Sequence, residues 1–359
     1  MEGLVNKVLE GDLDAIVEGL PPRLDGARVL VTGCAGFLGY EVLHLLTERA
    51  RELGVERVIA LDVMTFGRPR WLGELAQRHP SRLQVEAKDV QEIEAVPGAE
   101  DVTHVMHMAS IASPTFYRKK PIETLDANVW GLRRLLDYYR EQNLRGFLFM
   151  STSEIYGDPV AEQIPTPETY RGNVACIGPR ACYDESKRLG ETLCYLFHKE
   201  HGMPTRVVRP FNNYGPGLRL GDLRLPADMA SAVLSGRDLV LYSDGRPTRT
   251  FCYVSDAVLG FFKVLLHDDF DVFNIGIDRP EISISDVAAT YASCGRELLD
   301  YAGKVVHEAP AETDYLTDNP SRRCPNIDKA RKLLGYDPLI EVEAGVARFL
   351  TFLKDGDGW

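Results

Sequence analysis

The sequence predicts a doubly wound α/β fold: a parallel sheet with helices on both faces, joined to a smaller, interwoven C-terminal substrate-binding domain. Three observations carry this. Short continuous apolar runs alternate with helical patterns through about the first 210 residues, as strands do when both faces of a parallel sheet are covered. The first of these runs ends in a glycine-rich turn that opens a helix. After Asn212 the alternation gives way to Gly/Pro/Arg loops and shorter elements.

Residues 1–26 read as an N-terminal helical extension. Leu4, Val8, Leu13, Ile16 and Leu20 form one apolar side of short helices, and Pro21-Pro22 end it. It is expected to pack on the body of the protein. "ARVLVTG" (27–33) is the first strand, followed by a helix from Phe37 to about Glu52. "ERVIALD" (56–62), "RLQVEAKDV" (82–90), "THVMHMAS" (103–110), "RGFLFMSTS" (145–153) and "PTRVVRPFN" (204–212) are the next five strands. Between them, residues 121–142 read as one helix with an apolar stripe of Leu125, Val129, Leu132, Leu136 and Tyr139, serving the core or a helix–helix interface between two subunits. A helix (226–236), a strand (238–242), a helix (256–267) and the strand "DVFNIG" (271–276) follow. The nucleotide-binding domain is expected over 27–210, with 250–276 contributing by crossover, and the substrate-binding domain over 211–249 and 277–359.

A net charge of −12 disfavours nucleic acid as a partner. It leaves room for an anionic small molecule wherever arginines gather, and Arg209, Arg249, Arg322 and Arg323 are the candidates. The seven cysteines are scattered without a CxxC, and the eight histidines show no HExxH, so neither a disulfide framework nor a metal is expected. His104 and His107 read as core or cleft residues. No stretch reaches the ~18 apolar residues of a membrane span. The first 22 residues hold five acids and no greasy centre, unlike a secretory signal, so the cytoplasm is the expected compartment.

"TGCAGFLG" spaces Gly33, Gly36 and Gly39 as GxxGxxG between the first strand and the first helix of the sheet. Glycines there permit a tight turn and close backbone approach, and the helix N-terminus offers free N–H groups to a pyrophosphate. This is the context of a Rossmann-type dinucleotide site. Asp62 ends the second strand, 23 residues beyond Gly39. A carboxylate there accepts both ribose hydroxyls of NAD and repels a 2′-phosphate, which favours NAD over NADP. Asp89 and Val90, after the third strand, are placed to meet the adenine.

"GPRACYDESKRLGE" (178–191) sets Tyr183 and Lys187 four positions apart on a helix, which makes them neighbours ~5–6 Å apart at Cβ. A phenol titrates near ~10, so a tyrosine base at neutral pH needs about 4 kcal/mol of preferential phenolate stabilisation. A lysine cation beside a positive nicotinamide ring is a sensible source. Such a phenolate takes the proton of a sugar hydroxyl while hydride leaves its carbon. "STSEIYGD" (151–158) follows the fifth strand at the carboxyl edge of the sheet, where ligands bind, and brings Ser151, Thr152, Ser153 and Glu154 there.

"TGCAGFLG", "HMASIASPTFY", "STSEIYGDP", "IGPRACYDESKR", "RPFNNYGP", "TRTFCYVSD" and "RRCPNIDKAR" together resemble an extended short-chain dehydrogenase/reductase. Over about residues 27–350 the chain is most similar to the UDP-glucuronate decarboxylase (UDP-xylose synthase) branch, and the Gly-Pro-Arg ahead of Tyr183 is close to that branch in particular. The resemblance implies NAD-dependent oxidation at C4 of UDP-glucuronate, loss of CO₂ from the 4-keto intermediate, and re-reduction to UDP-xylose. It implies Tyr183 as base with Lys187, Thr152 at the sugar hydroxyl, and Glu154 and Arg323 at the decarboxylating carbon. Tyr117, Arg180, Asn212, Arg249, Tyr253 and Arg323 are the expected substrate contacts. Phe37, Leu38, Met108, Ala109, Ser110, Asn128 and Ser151 join the glycines, Asp62, Tyr183 and Lys187 around NAD. A homodimer built as a four-helix bundle from helix 121–142 and the helix starting near Cys182 is also implied.

The chain departs from the family at Cys324 and Asn326, within an Arg-Lys-Pro-Asp motif, and at Gly217, where the branch has an arginine that Arg219 is placed to replace. "ETYRGNVACIG" differs from the usual Tyr-Trp-Gly-containing loop. A 4,6-dehydratase typically carries Asp-Glu where this chain has Ser153-Glu154, so dehydration ranks second and 4-epimerisation third. A nucleotide-sugar or NAD sensor without turnover is the remaining alternative.

Overall fold

Val29–Val31, Phe147–Phe149 and Val207–Val208 are fully buried, because each run lies in a sheet sheathed by helices on both sides. The structure, a computed structural model, describes residues 6–309 and 320–356. Its strands are β1 (Ala27–Thr32), β2 (Val55–Leu61), β3 (Leu83–Glu86), β4 (His104–His107), β5 (Gly146–Met150), β6 (Thr205–Pro210), β7 (Asn213–Tyr214), β8 (Leu239–Leu241), β9 (Thr248–Arg249), β10 (Cys252–Tyr253), β11 (Val272–Ile275), β12 (Ile282–Ser283), β13 (Val305–His307) and β14 (Arg322–Arg323). Seven of them form one parallel sheet in the order β11-β6-β5-β4-β1-β2-β3. The chain reverses direction of travel across the sheet between β1 and β4, the crevice where such sheets take their ligands. Three small sheets, β10-β7, β12-β9-β14 and β13-β8, lie outside it.

The helices are α1 (Lys7–Gly19), α2 (Phe37–Glu48), α3 (Ala50–Leu53), α4 (Arg70–Arg78), α5 (Pro114–Lys119), α6 (Pro121–Leu125), α7 (Leu132–Tyr139), α8 (Ala181–His201), α9 (Leu225–Leu234), α10 (Val254–Leu265), α11 (Ile284–Leu299), α12 (Asp328–Leu334) and α13 (Val342–Lys354). Among the described residues no helix is long and apolar enough to cross a membrane, no group of side chains is set to hold a metal ion, and all seven cysteines are free thiols.

Strands β3 to β6 stop short of their expected ends, β5 at Met150 and β6 at Pro210. β3 ends at Glu86 and β4 at His107, since Asp89 caps a 3₁₀ turn over Val90–Ala95 and the chain leaves the sheet at the ligand edge. The helix expected over 121–142 is broken into α6, a π turn at Asp126–Gly131, and α7. The extra residue of a π turn rotates its neighbours, and here it carries Asn128 into the interior, where its Nδ2 donates to Ser186 Oγ at 2.9 Å. Val129, Leu132, Leu136 and Tyr139 serve the subunit's own core, whereas Leu125 is exposed.

α1 packs on α10, α13 and α2 through buried Leu9, Leu13 and Ile16; Leu4 lies outside the described residues. Asp12 is wholly buried beneath α1. Its Oδ2 accepts from the Tyr253 hydroxyl at 2.7 Å and its Oδ1 from Arg348 at 2.8 Å. Burial pushes this carboxyl up to about 6, against the opposing pull of Tyr253 and Arg348.

Candidate active site

At the crevice, Gly33 has φ +70° and a Cβ on it would run into the backbone of Met108 and Ala109. Those two residues leave β4 hydrogen-bonded to Thr32 through their N–H groups. Gly36 is the N-cap of α2 and supplies no side-chain cap, so the first N–H groups of the helix, at Phe37 and Leu38, face the crevice unclaimed by a side chain. Gly39 sits against the Cys34 backbone, where no side chain fits. Asp62 lies alongside, its Oδ2 accepting from Ala35 N–H at 3.0 Å and its Oδ1 from Met64 N–H at 2.7 Å. Ser110 Oγ is buried with no partner among the described residues. A helix start open to phosphate, a carboxylate next to it and an unsatisfied hydroxyl across from it fit a dinucleotide. Gly33→Ala is expected to abolish NAD binding, in calorimetric titration, and to lower Tm by several degrees, because both the positive φ and the approach of Ala109 forbid a methyl group.

The two residues expected at the adenine open the 3₁₀ turn after β3. Asp89 Oδ1 accepts from Gln91 N–H at 2.9 Å, capping its turn, and the Val90 side chain is buried in the core against Gly131. The Ser151 hydroxyl donates to Glu191 at 2.5 Å.

β5 delivers Thr152 and, in a 3₁₀ turn over Ser153–Tyr156, Glu154. α8 delivers Arg180 at its N-cap, then Tyr183 and Lys187. The Tyr183 ring stacks on Tyr117, 5.1 Å between centroids and 11° from parallel. Lys187 Nζ lies 5.8 Å from the Tyr183 ring centre and donates to Met150 O at 2.8 Å. In the protein alone the phenol is not lowered as the sequence reading requires. Burial pushes it up, a hydrogen bond with Thr152 offsets part of this, and the Glu154 charge adds to it. Burial likewise pushes Lys187 down to about 7. Tyr183 favours its neutral form because burial outweighs the pull of Thr152 and of the Arg224 charge, so a further cation beside it is needed to draw out the phenolate. His107 hydrogen-bonds Thr32 at 2.8 Å and burial, with the nearby Lys187, holds it neutral at about 3.

The substrate side is organised around Glu154. Arg323 donates to both of its oxygens, from Nη1 to Oε1 and from Nη2 to Oε2 at 2.7 Å, and Arg180 donates to Oε2 as well. Burial would raise this carboxyl, but Arg323 and Arg180 hold it at about 2. Arg323 comes from β14, which pairs with β9 so that Arg323 opposes Arg249 and Arg322 opposes Thr248. Side chains alternate along a strand. Arg249 and Arg323 therefore share the inner face, while Arg322 turns outward to a bidentate pair with Glu281 at 2.9 and 2.6 Å. Arg249 donates to the carbonyls of Thr248 and Pro320, and burial together with the Arg323 charge pushes it down to about 9. Asn212 holds φ +42° and donates to Thr250 O at 2.8 Å, tying β6 to this wall.

The structure does not bring Tyr253 to this group: its hydroxyl is spent on Asp12 and the residue has no exposed surface. Arg209 is likewise committed elsewhere, to Glu191 at 2.9 and 2.6 Å. Arg219 lies 4.3 Å over the Phe66 ring and 5.8 Å from that of Phe116. Asp184, one turn beyond Arg180, was passed over in the sequence, although its i,i+4 spacing from that arginine was the available signal.

The profile of the NAD dependent epimerase/dehydratase family matches residues 29–276. The chain belongs to that family. NAD is accordingly its cofactor, and nucleotide-sugar modification its general chemistry. Among curated relatives, the chain is 35% identical over 322 residues to UDP-glucuronic acid decarboxylase 5 of Arabidopsis thaliana, covering 89% of this chain and 87% of that one. It is 35% identical over 334 residues to UDP-glucuronic acid decarboxylase 1 of Xenopus tropicalis, covering 92% and 73%. Among solved structures, a UDP-glucose 4-epimerase from Thermotoga maritima superposes with a TM-score of 0.77 at 25% identity, over 91% of this chain and 99% of that one. A UDP-glucuronic acid 4-epimerase from Bacillus cereus shares the fold, with a TM-score of 0.75 at 24% identity over 91% and 99%.

Proposed function

We propose that this family member decarboxylates UDP-glucuronate to UDP-xylose. The observation that carries the reading is the Glu154 carboxylate clasped by Arg180 and Arg323. Arg180, Arg323 and Arg249 all act on this one carboxylate, and that concentration of positive charge suits a carboxylate on the sugar. The 35% identity to UDP-glucuronic acid decarboxylases supports it.

Gly36, the start of α2, Asp62 and Ser110 are the residues that would hold NAD. Held there, it would supply the hydride acceptor for C4 of the sugar and the donor for the closing reduction, with no net oxidation. Thr152 and Tyr183 orient the C4 hydroxyl, and Tyr183 takes its proton, with Lys187 stabilising the phenolate. The resulting ketone is β to the C6 carboxylate, so the C5–C6 bond breaks with its electron pair delocalised onto the C4 oxygen. Tyr183, now protonated, and Thr152 donate to that oxyanion. C5 then takes up a proton from solvent, and as hydride returns to C4 the Tyr183 hydroxyl gives its proton back to the C4 oxygen. The test is mass analysis of products from purified protein with NAD and UDP-glucuronate. CO₂ and UDP-xylose are expected; a C4 epimer or loss of water without CO₂ would overturn the reading, and binding without turnover would make the protein a sensor.

The homodimer is retained on different residues. Apart from Leu125 the predicted stripe is buried within the subunit, while Ile122 and Trp130 before α7, and Leu189 and Leu196 on α8, are exposed along neighbouring helices. A dimer mass in light scattering at micromolar protein is expected for the unaltered chain and a monomer for Trp130→Glu; a monomeric unaltered chain would refute the assignment.

A further inference from the structure

Asp184 has no role in the reaction as drawn, yet it is buried beside its machinery. Its Oδ2 is 3.7 Å from Arg180 Nε, beyond hydrogen-bond range. Its Oδ1 is buried with no partner among the described residues. The groups facing it are Arg180, Tyr183 and Glu185 on α8, Glu154 in the 3₁₀ turn, Arg323 on β14 and Tyr117 on α5. The Tyr117 hydroxyl is itself buried and unpartnered. A carboxylate that is shut off from water, receives no hydrogen bond and lies near another anion holds a proton readily. Glu154, in the same cluster, is in the opposite state, with both oxygens bonded to arginine. Two carboxyls driven apart in this way mark a division of labour.

We propose that Asp184 is the proton-holding residue of the anion pocket: it takes up a proton when a sugar carboxylate settles beside Arg180 and Arg323, and releases it once that carboxylate has left as carbon dioxide. This rests on the uronate reading above. With Asp184 ionised, two acids face two arginines and the pocket offers an incoming anion little. With Asp184 protonated, one positive charge is uncovered and Arg180 answers to Glu154 alone. Anion binding and protonation therefore favour each other, and by linkage each strengthens the other by the same factor. The proton is exchanged with solvent, and Asp184 is a positioning residue, not the source of the new hydrogen at C5.

Burial, then the charge of Glu154, pushes Asp184 up to about 7, with Arg180 and Arg323 pulling the other way. The free protein thus loses this proton as pH rises through neutrality. Affinity for a carboxylate-bearing sugar should weaken above that point, by up to about tenfold per pH unit for one linked proton. A ligand without the carboxylate should not share this dependence.

The test is calorimetric titration of the NAD-loaded protein in the Tyr183→Phe background, which prevents turnover, at about pH 8 in two buffers of different ionisation enthalpy. UDP-glucuronate is expected to bind with uptake of about one proton, and UDP-xylose with none. Adding Asp184→Asn should remove the uptake and flatten the pH dependence of the UDP-glucuronate Kd, while UDP-xylose still binds. Asp184→Ser provides the same comparison should the Asn variant fold poorly. The proposal is overturned by UDP-glucuronate binding without proton uptake, by equal uptake with UDP-xylose, or by uptake that survives the loss of Asp184. Binding of UDP-xylose but not UDP-glucuronate would overturn the uronate reading itself, and this proposal with it.

Discussion

Tyr183→Phe is expected to eliminate the transient NADH signal on mixing NAD-loaded protein with UDP-glucuronate, and to lower turnover by about 10²–10⁴-fold. The substitution removes one oxygen. It leaves the ring that stacks on Tyr117 at 5.1 Å, so fold and cofactor binding should persist, and an unchanged Tm would show it. What disappears is the acceptor for the C4 hydroxyl proton and one of the two donors to the later oxyanion, Thr152 being the other. Lys187 is not placed to substitute, since its Nζ is committed to Met150 O. A variant that still accumulated NADH at the parent rate would remove Tyr183 from the chemistry.

Glu154→Gln should act on a different step. In the parent, the substrate carboxylate competes with Glu154 for Arg180 and Arg323. This competition keeps the carboxylate loosely held, which matters because its charge must vanish as CO₂ departs. With a neutral amide in place, both arginines are free to grip the substrate, stabilising the ground state over the transition state. The expected result is a lower KM with slower CO₂ release, while NADH and the 4-keto sugar accumulate in a single turnover. Equal slowing of C4 oxidation and CO₂ loss would count against the role given to Glu154. The same change leaves two buried guanidiniums without their counter-ion, a defect that in buried pairs costs about 3–5 kcal/mol. The fall in Tm therefore has to be measured alongside the kinetics.

The nucleotide end of the cleft was readable from the chain because its determinants are local. Gly33, Gly36 and Gly39 each answer a constraint imposed within a few residues, and Asp62 follows at the end of the next strand. Tyr183 and Lys187 lie one turn apart on one helix, so their spacing placed them together, whereas Asp184 on the same helix was not read from it. The clasp on Glu154 was legible only through resemblance, since Arg323 is 169 residues away and no periodicity reaches so far. The docking of α1 was expected, but Asp12 meeting Tyr253 across 241 residues was not, and it took Tyr253 out of the substrate site. The π turn was hidden because the apolar spacing runs through it, Leu125, Val129 and Leu132 falling four and three apart. It is the inward turn of Asn128 and the packing of Val90 on Gly131 that reveal it.

The pairing of Arg323 with Arg249 on one face of a three-stranded ladder sets like charges side by side, an arrangement that opposes its own assembly. Glu154, and Asp158 at Arg249, offset part of that repulsion, and a polyanion set between the two guanidiniums offsets more of it. Pyrophosphate or UDP alone, without a sugar, should therefore raise the melting temperature, by an amount corresponding to about 2.7 kcal/mol at a hundredfold excess over Kd. Added salt should erode that protection.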